Sequence, residues 1–150
     1  MNYDSDSGLI DVARYVASGN CDERPQGVDI ESLIIHAISL PPGEFGGQGI
    51  EQLFCNALDA DEHPYYSEIC DLKVSAHILV RRDGEIVQFV PLTQRAWHAG
   101  VSECLGRNNV NDFSIGIELE GSDDAPFEDV QYERLAQLAN VIIDAFPGLS

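Results

Sequence analysis

The histidines and a few acids carry most of the chemistry this sequence can offer. His36, His63, His77 and His98 are spread along the chain, and none belongs to a helical HExxH motif or another compact ligand pattern. His36 stands near the end of an apolar run, Ser32 to Ile38 (SLIIHAI), just ahead of Pro41-Pro42-Gly43-Glu44-Phe45-Gly46-Gly47. A strand end facing a loop is where α/β folds place ligands and catalytic groups. His36 therefore has two readings, a metal ligand or a hydrogen-bonded core histidine. His77, between Ala76 and Ile78 inside a strand-like stretch, reads more simply as a packed residue. His98 follows Trp97 and precedes Ala99-Gly100, so an aromatic and an imidazole meet near a turn, which suits a small-molecule cleft as well as ordinary packing.

Glu118 is the most informative acid. Phe113 to Glu120 (FSIGIELE) alternates, with Phe113, Ile115, Ile117 and Leu119 on one face and Ser114, Gly116, Glu118 and Glu120 on the other. The missing side chain at Gly116 leaves space beside Glu118. A carboxylate held on a rigid strand near a metal can take a proton from bound water. The plainer alternative is a solvent-facing Glu on a half-exposed strand, and Glu120 competes for the same role. Tyr65 and Tyr66, after His63-Pro64, offer a phenol donor or loop packing.

The elements that must hold these groups follow from pattern. The SLIIHAI run has the length of a buried strand, and the Pro/Gly-rich stretch after it ends any regular element. Ile10 to Val16 reads as a short helix, and Ile50 to Leu58 as another with Ile50, Leu53, Phe54 and Ala57 on one face. Val74 to Arg81 and Glu85 to Val90 read as strands, joined through Asp83-Gly84, a strong hairpin signal. Asp129 is a good N-cap for a helix to about Phe146, with Val130, Leu135, Leu138, Val141, Ile142 and Ala145 as its core stripe. Strands interspersed with helices predict one α/β domain over residues 1–150, with a mixed sheet flanked by helices.

Composition narrows the partners. Eight basic residues against 26 acidic ones give a net charge of -18, so nucleic acid and anionic membrane surfaces are excluded as partners. The acidity itself reads as solubility. Hydrophobic residues at 44% and charged residues at 23% mark a globular chain. Cys21, Cys55, Cys70 and Cys104 show no CxxC pair and read as reduced thiols. The acidic start, Met1 to Ser7, lacks the apolar core of a signal peptide. These features predict a cytoplasmic protein.

Several blocks in order resemble the AmpD-like subgroup of the type 2 N-acetylmuramoyl-L-alanine amidases. They are the His36 strand with Ser39 to Gly47, His63-Pro64-Tyr65, Val74-Ser75-Ala76-His77, Arg82 to Gln88 (RDGEIVQ), Arg95 to Gly100 (RAWHAG) and Asn111 to Gly121 (NDFSIGIELEG). The similarity runs from about Ile30 to the final helix. It implies a zinc-dependent hydrolase that cleaves the amide between the lactyl group of anhydro-N-acetylmuramic acid and L-alanine in recycled muropeptides. It also implies a small-molecule substrate and a monomer. In the family two histidines and an aspartate hold the zinc and leave a position open for water. By this resemblance His36 matches the first metal ligand, Glu118 the acid that activates water, and Tyr65 a tyrosine close to the metal. Trp97, His98 and Arg107 match the region lining the substrate groove, whereas His63 and His77 match histidines that are not ligands. Two positions depart from the pattern: Ala37 stands where the subgroup commonly has Asn, and Asn109 where it has a second basic residue. The remaining family ligands and a lysine are expected beyond Ser150, so the sequence reads as a truncated form with little activity of its own. Two other classes stay open: a non-catalytic muropeptide-binding module that has lost zinc, and an acidic α/β domain in which every polar residue above is structural.

Overall fold

The computed structural model describes residues 1–149. The chain begins with the short ribbon strands β1 (Tyr3–Asp4) and β2 (Leu9–Ile10), then β3 (Arg14–Tyr15) and β4 (Cys21–Asp22). The seven-residue β5 (Ser32–Ile38) leads through the Pro/Gly loop to the helices α1 (Gly49–Phe54) and α2 (Tyr66–Ile69). β6 (Ile78–Val80), β7 (Ile86–Gln88), β8 (Arg95–Ala96), β9 (Glu103–Cys104) and β10 (Arg107–Asn108) follow. A 3₁₀ turn (Val110–Phe113) enters β11 (Ser114–Glu120), and α3 (Asp129–Ala145) comes last before a second 3₁₀ turn (Pro147–Leu149).

Five of these strands form the central sheet, in the order β3-β7-β6-β11-β5. β6 and β7 are antiparallel, while β11 runs parallel to both β6 and β5, and β3 parallel to β7. The sheet is mixed, as the sequence predicts. Its two faces are covered separately. Ile78, Val80, Ile115, Ile117 and Leu119 pack with Leu138 and Ile142 of α3, and Leu79, Val87 and Phe89 pack with Ile50, Leu53, Phe54 and Tyr66 of α1 and α2. The β6–β7 hairpin turns through Arg81 to Glu85, where Arg81 and Glu85 exchange a backbone bond of 2.9 Å and Gly84 takes φ 84°.

Four expectations need correction. Ile10 to Val16 is not helical. The Gln88 side chain accepts the Ile10 N–H at 2.8 Å and donates to Gly8 O at 3.0 Å, and β3 pairs with β7, so tertiary bonds claim the backbone that a helix would use. β5 is half-buried rather than buried: it lies at the end of the strand order and Ile35 is 45% exposed. The helix predicted from Ile50 to Leu58 ends at Phe54, because Asn56 turns left-handed at φ 58°. The cap of α3 is Glu128, not Asp129; its side chain and that of Gln131 form a capping box.

Candidate active site

The β5–β11 register builds the site. His36 and Glu118 are Cα partners across this parallel pair, so two residues far apart in sequence stand side by side, one on the edge strand and one on the strand next to it. β11 supplies the neighbours by alternation: Ser114, Gly116, Glu118 and Glu120 share a face, while Ile115, Ile117 and Leu119 turn toward α3.

Glu118 and Glu120 differ sharply in surroundings. Glu120 is 2% exposed and fully engaged. It accepts the Gly46 N–H at 2.7 Å, the Arg82 N–H at 3.2 Å and the Arg81 guanidinium at 3.3 Å, so it ties the Pro/Gly loop and the hairpin to the sheet. Glu118 is 8% exposed, and its Oε2 is buried without a hydrogen-bond partner among the described residues. Burial pushes its carboxyl up to about 7. Glu118 is therefore not the solvent-facing residue of the plainer reading. A buried acid that titrates near neutrality and has an unused oxygen is suited to proton transfer.

The space beside Gly116 is occupied by His98. A Cβ at Gly116 would lie 2.4 Å from Cγ of the His98 ring, so only glycine admits the ring there. Asn111 Oδ1 accepts both the His98 and the Ala99 backbone N–H, at 3.1 and 2.9 Å. The ring then reaches two partners, with His98 Nδ1 2.9 Å from His36 Nε2 and His98 Nε2 3.0 Å from Ser114 Oγ. Burial lowers the pKa of both imidazoles, His98 to about 3, where His36 and Arg24 also oppose its charge. Burial therefore favours the uncharged form of both rings. His77, fully buried, accepts the Gly116 N–H at Nδ1 and donates from Nε2 to Gln94 O at 2.9 Å. It is satisfied by backbone on both sides, which agrees with its structural reading.

The other predicted residues lie outside this cluster of contacts. Trp97 is partly buried and donates from its indole to Asp22 Oδ1 at 3.2 Å, and Arg95 holds that same carboxylate in a two-pronged ion pair. The Arg95 guanidinium, with the Trp97 indole adding to it, keeps Asp22 below the usual carboxylate range. Arg107 pairs with Glu31 and stacks over Phe113 at 3.9 Å. Tyr65 caps α2 and is exposed, with its backbone N–H on His63 Nδ1 at 3.1 Å. Among the described residues its side chain makes no hydrogen bond to His36, His98 or Glu118. Ser114 and Asn111 are the residues that sequence reasoning missed as parts of the site. Their signal lay in the NDFSIGIELEG block, but only the strand register shows what they touch.

Zinc takes three or four protein ligands, and the described residues hold no group of three His, Cys, Asp or Glu side chains that could bind a metal ion. What they do hold suits one edge of such a site: a neutral imidazole, His36, beside a buried carboxylate with an unpartnered oxygen. The resemblance implies a further His, Asp and Lys in such a site, and none of the described residues is assigned to those roles.

Residues 26–150 match the family described as N-acetylmuramoyl-L-alanine amidase. The 1,6-anhydro-N-acetylmuramyl-L-alanine amidase AmpD of Salmonella typhimurium is 52% identical over 145 residues, which is 97% of this chain and 78% of that protein. AmpD of Escherichia coli K12 is 51% identical, over 97% of this chain and 79% of its own. A crystal structure of a selenomethionine derivative of AmpD superposes with a TM-score of 0.96 at 51% identity, covering 99% of this chain and 82% of that one. The E. coli amidase AmiD, in complex with the substrate anhydro-N-acetylmuramic acid-L-Ala-D-γ-Glu-L-Lys, aligns at a TM-score of 0.52 and 31% identity, over 85% of this chain and 49% of that one.

Proposed function

The chain belongs to the N-acetylmuramoyl-L-alanine amidase family, and from that premise we propose that it hydrolyses the amide joining the lactyl group of anhydro-N-acetylmuramic acid to L-alanine. The names of the AmpD relatives and the substrate bound to AmiD support this choice of bond. The observation that carries it is the pairing of His36 with a buried, partly unpartnered Glu118 on adjacent strands. Glu118 takes a proton from the attacking water and delivers it to the departing amine of alanine, the usual work of a general base that turns general acid. The water oxygen ends in the lactyl carboxylate, and the peptide leaves with a free N-terminus. His36 serves as one ligand of a zinc ion. When bound, zinc would supply Lewis acidity toward the carbonyl and toward water. Trp97 offers a face for the sugar, and Arg107 offers a guanidinium to a stem carboxylate in place of Glu31. Tyr65, exposed at the start of α2, offers a phenol to the substrate.

We place the protein in the cytoplasm, acting on recycled fragments as a monomer. All four cysteines are free, as a reducing compartment requires, and no described helix is long and apolar enough to cross a membrane. One observation favours a second reading, a muropeptide-binding module without turnover: the described residues hold no group of three His, Cys, Asp or Glu side chains that could bind a metal ion. Incubation with anhydro-N-acetylmuramic acid-L-Ala-D-γ-Glu-L-Lys and zinc, followed by mass spectrometry, separates the two. Release of free tripeptide supports the amidase, and saturable binding with no release supports the binding module. Intact cell wall in the same assay should be cut far more slowly, and equal rates would overturn the recycling role.

A further inference from the structure

The polar contacts that converge on His98 fix the position of every proton in the chain they form. Ser114 Oγ lies 2.6 Å from Val110 O. A carbonyl only accepts, so the single hydroxyl proton goes there. The second contact of that oxygen, 3.0 Å to His98 Nε2, must then have the ring nitrogen as donor. Above about pH 6.5, where an imidazole is ordinarily neutral, His98 with its proton on Nε2 presents a lone pair at Nδ1. That atom is 2.9 Å from His36 Nε2, so His36 donates to it. His36 is left with a lone pair at Nδ1, where no hydrogen bond is made among the described residues. The backbone holds the relay rigidly. Asn111 clamps the peptide at His98, Gly116 seats its ring, and the two imidazoles meet edge to face at 5.1 Å and 72°.

We propose that Ser114, His98 and Gly116 form a positioning unit that sets the tautomer and ring angle of His36, so that His36 offers Nδ1 and only Nδ1 to a ligand. His98 is thereby a positioning residue rather than part of the sugar groove. The proposal rests on the reading of His36 as a zinc ligand and adds to it the atom that binds and the residues that aim it. A metal-bound imidazole commonly donates its other N–H to an acceptor, and losing that acceptor lowers metal affinity about 10- to 100-fold. Here the acceptor is a second neutral imidazole whose own proton is pinned by a serine.

Ring-nitrogen NMR on the zinc-free 150-residue protein tests the relay directly. Both His36 and His98 should carry their proton on Nε2, and a His36 protonated on Nδ1 would overturn the proposal. Ser114→Ala removes one oxygen with little threat to folding, and should leave both rings as tautomer mixtures; unchanged spectra would count against the relay. Zinc alone, in competition with a chromophoric chelator, gives the second readout. His98→Phe should weaken binding about 10- to 100-fold, and His98→Asn, which keeps an acceptor near the Nδ1 position, should restore most of it. Equal affinity in wild type and His98→Phe would overturn the proposal. The expected tautomers with no zinc uptake by the wild type would uphold the relay and show that His36 alone does not hold zinc, as a site of three or four ligands requires.

Discussion

Glu118 and Glu120 sit two residues apart on the same face of β11, yet their surroundings are opposite. Three donors satisfy Glu120, while Glu118 keeps an oxygen without a partner among the described residues. The difference predicts separable phenotypes. Glu118→Gln should keep the fold but lower turnover about 10²- to 10⁴-fold, the usual range for a positioned general base; near-normal turnover in that variant would end its role. The same substitution should change stability with a definite sign. Burial raises the Glu118 carboxyl from 4.5 to about 7, so the folded protein holds this proton more tightly than the unfolded chain does. The resulting stability is fully present below about 4.5 and is lost as the pH rises through about 7. In a chelating buffer, Glu118→Gln should therefore be the more stable protein at pH 8, by on the order of 3 kcal/mol, with the advantage shrinking toward pH 5. Urea titrations at the two pH values check this, and an equal gain at both would mean that burial does not set the titration. His36→Ala, by contrast, should lose zinc and activity together, as metal analysis of the purified variant would show.

At the scale of elements, glycine marks the points where the architecture is tightest. Gly84 in the β6–β7 turn has φ 84°, and a Cβ there would come within 2.6 Å of Val130 Cγ2 on α3. Gly84→Ala should cost about 1–2 kcal/mol for the left-handed backbone alone, plus whatever α3 loses in shifting. A denaturation midpoint unchanged from the wild type would mean that the turn relaxes freely. The Asp-Gly pair made this hairpin legible in the sequence, and alternation made the two faces of β11 legible. What alternation could not show is what covers the polar face. Glu118 read more simply as solvent-facing, because alternation does not reveal the parallel register with β5 that sets it beside His36. The Ile10 to Val16 segment misled for a related reason. Its apolar spacing fits a helix, but the Gln88 side chain, 78 residues away from Ile10, claims its backbone. The resemblance named His36 and Glu118, and the β5–β11 register places them opposite one another.

The charge of the whole molecule bears on how substrate arrives. Net charge -18 over 150 residues surrounds the site with a negative field. The peptide bound to AmiD, L-Ala-D-γ-Glu-L-Lys, carries two carboxylates and one ammonium once joined to the sugar, so a substrate of that class is itself an anion. Arg24, Arg95 and Arg107 lie on the β8–β11 side of the sheet, but Arg95 is held by Asp22 and Asp112, Arg107 by Glu31, and Arg24 by backbone carbonyls. Acidic partners offset Arg95 and Arg107 among the described residues, and the charge of Arg24, bound to carbonyls, is small against the net -18 of the chain. Encounter should therefore be slowed by long-range repulsion, and salt should relieve it. The Debye length falls from about 30 Å at 0.01 M to about 8 Å at 0.15 M, a range over which exposed charges more than a few residues from the site drop out of the interaction. We expect kcat/KM for the anhydromuramyl tripeptide to rise several-fold between those salt concentrations, with most of the change in KM. A tripeptide amide carrying one negative charge fewer should show a smaller rise. A kcat/KM that falls with salt would mean instead that a local cation, metal or arginine, outweighs the field of the whole chain at the point of capture.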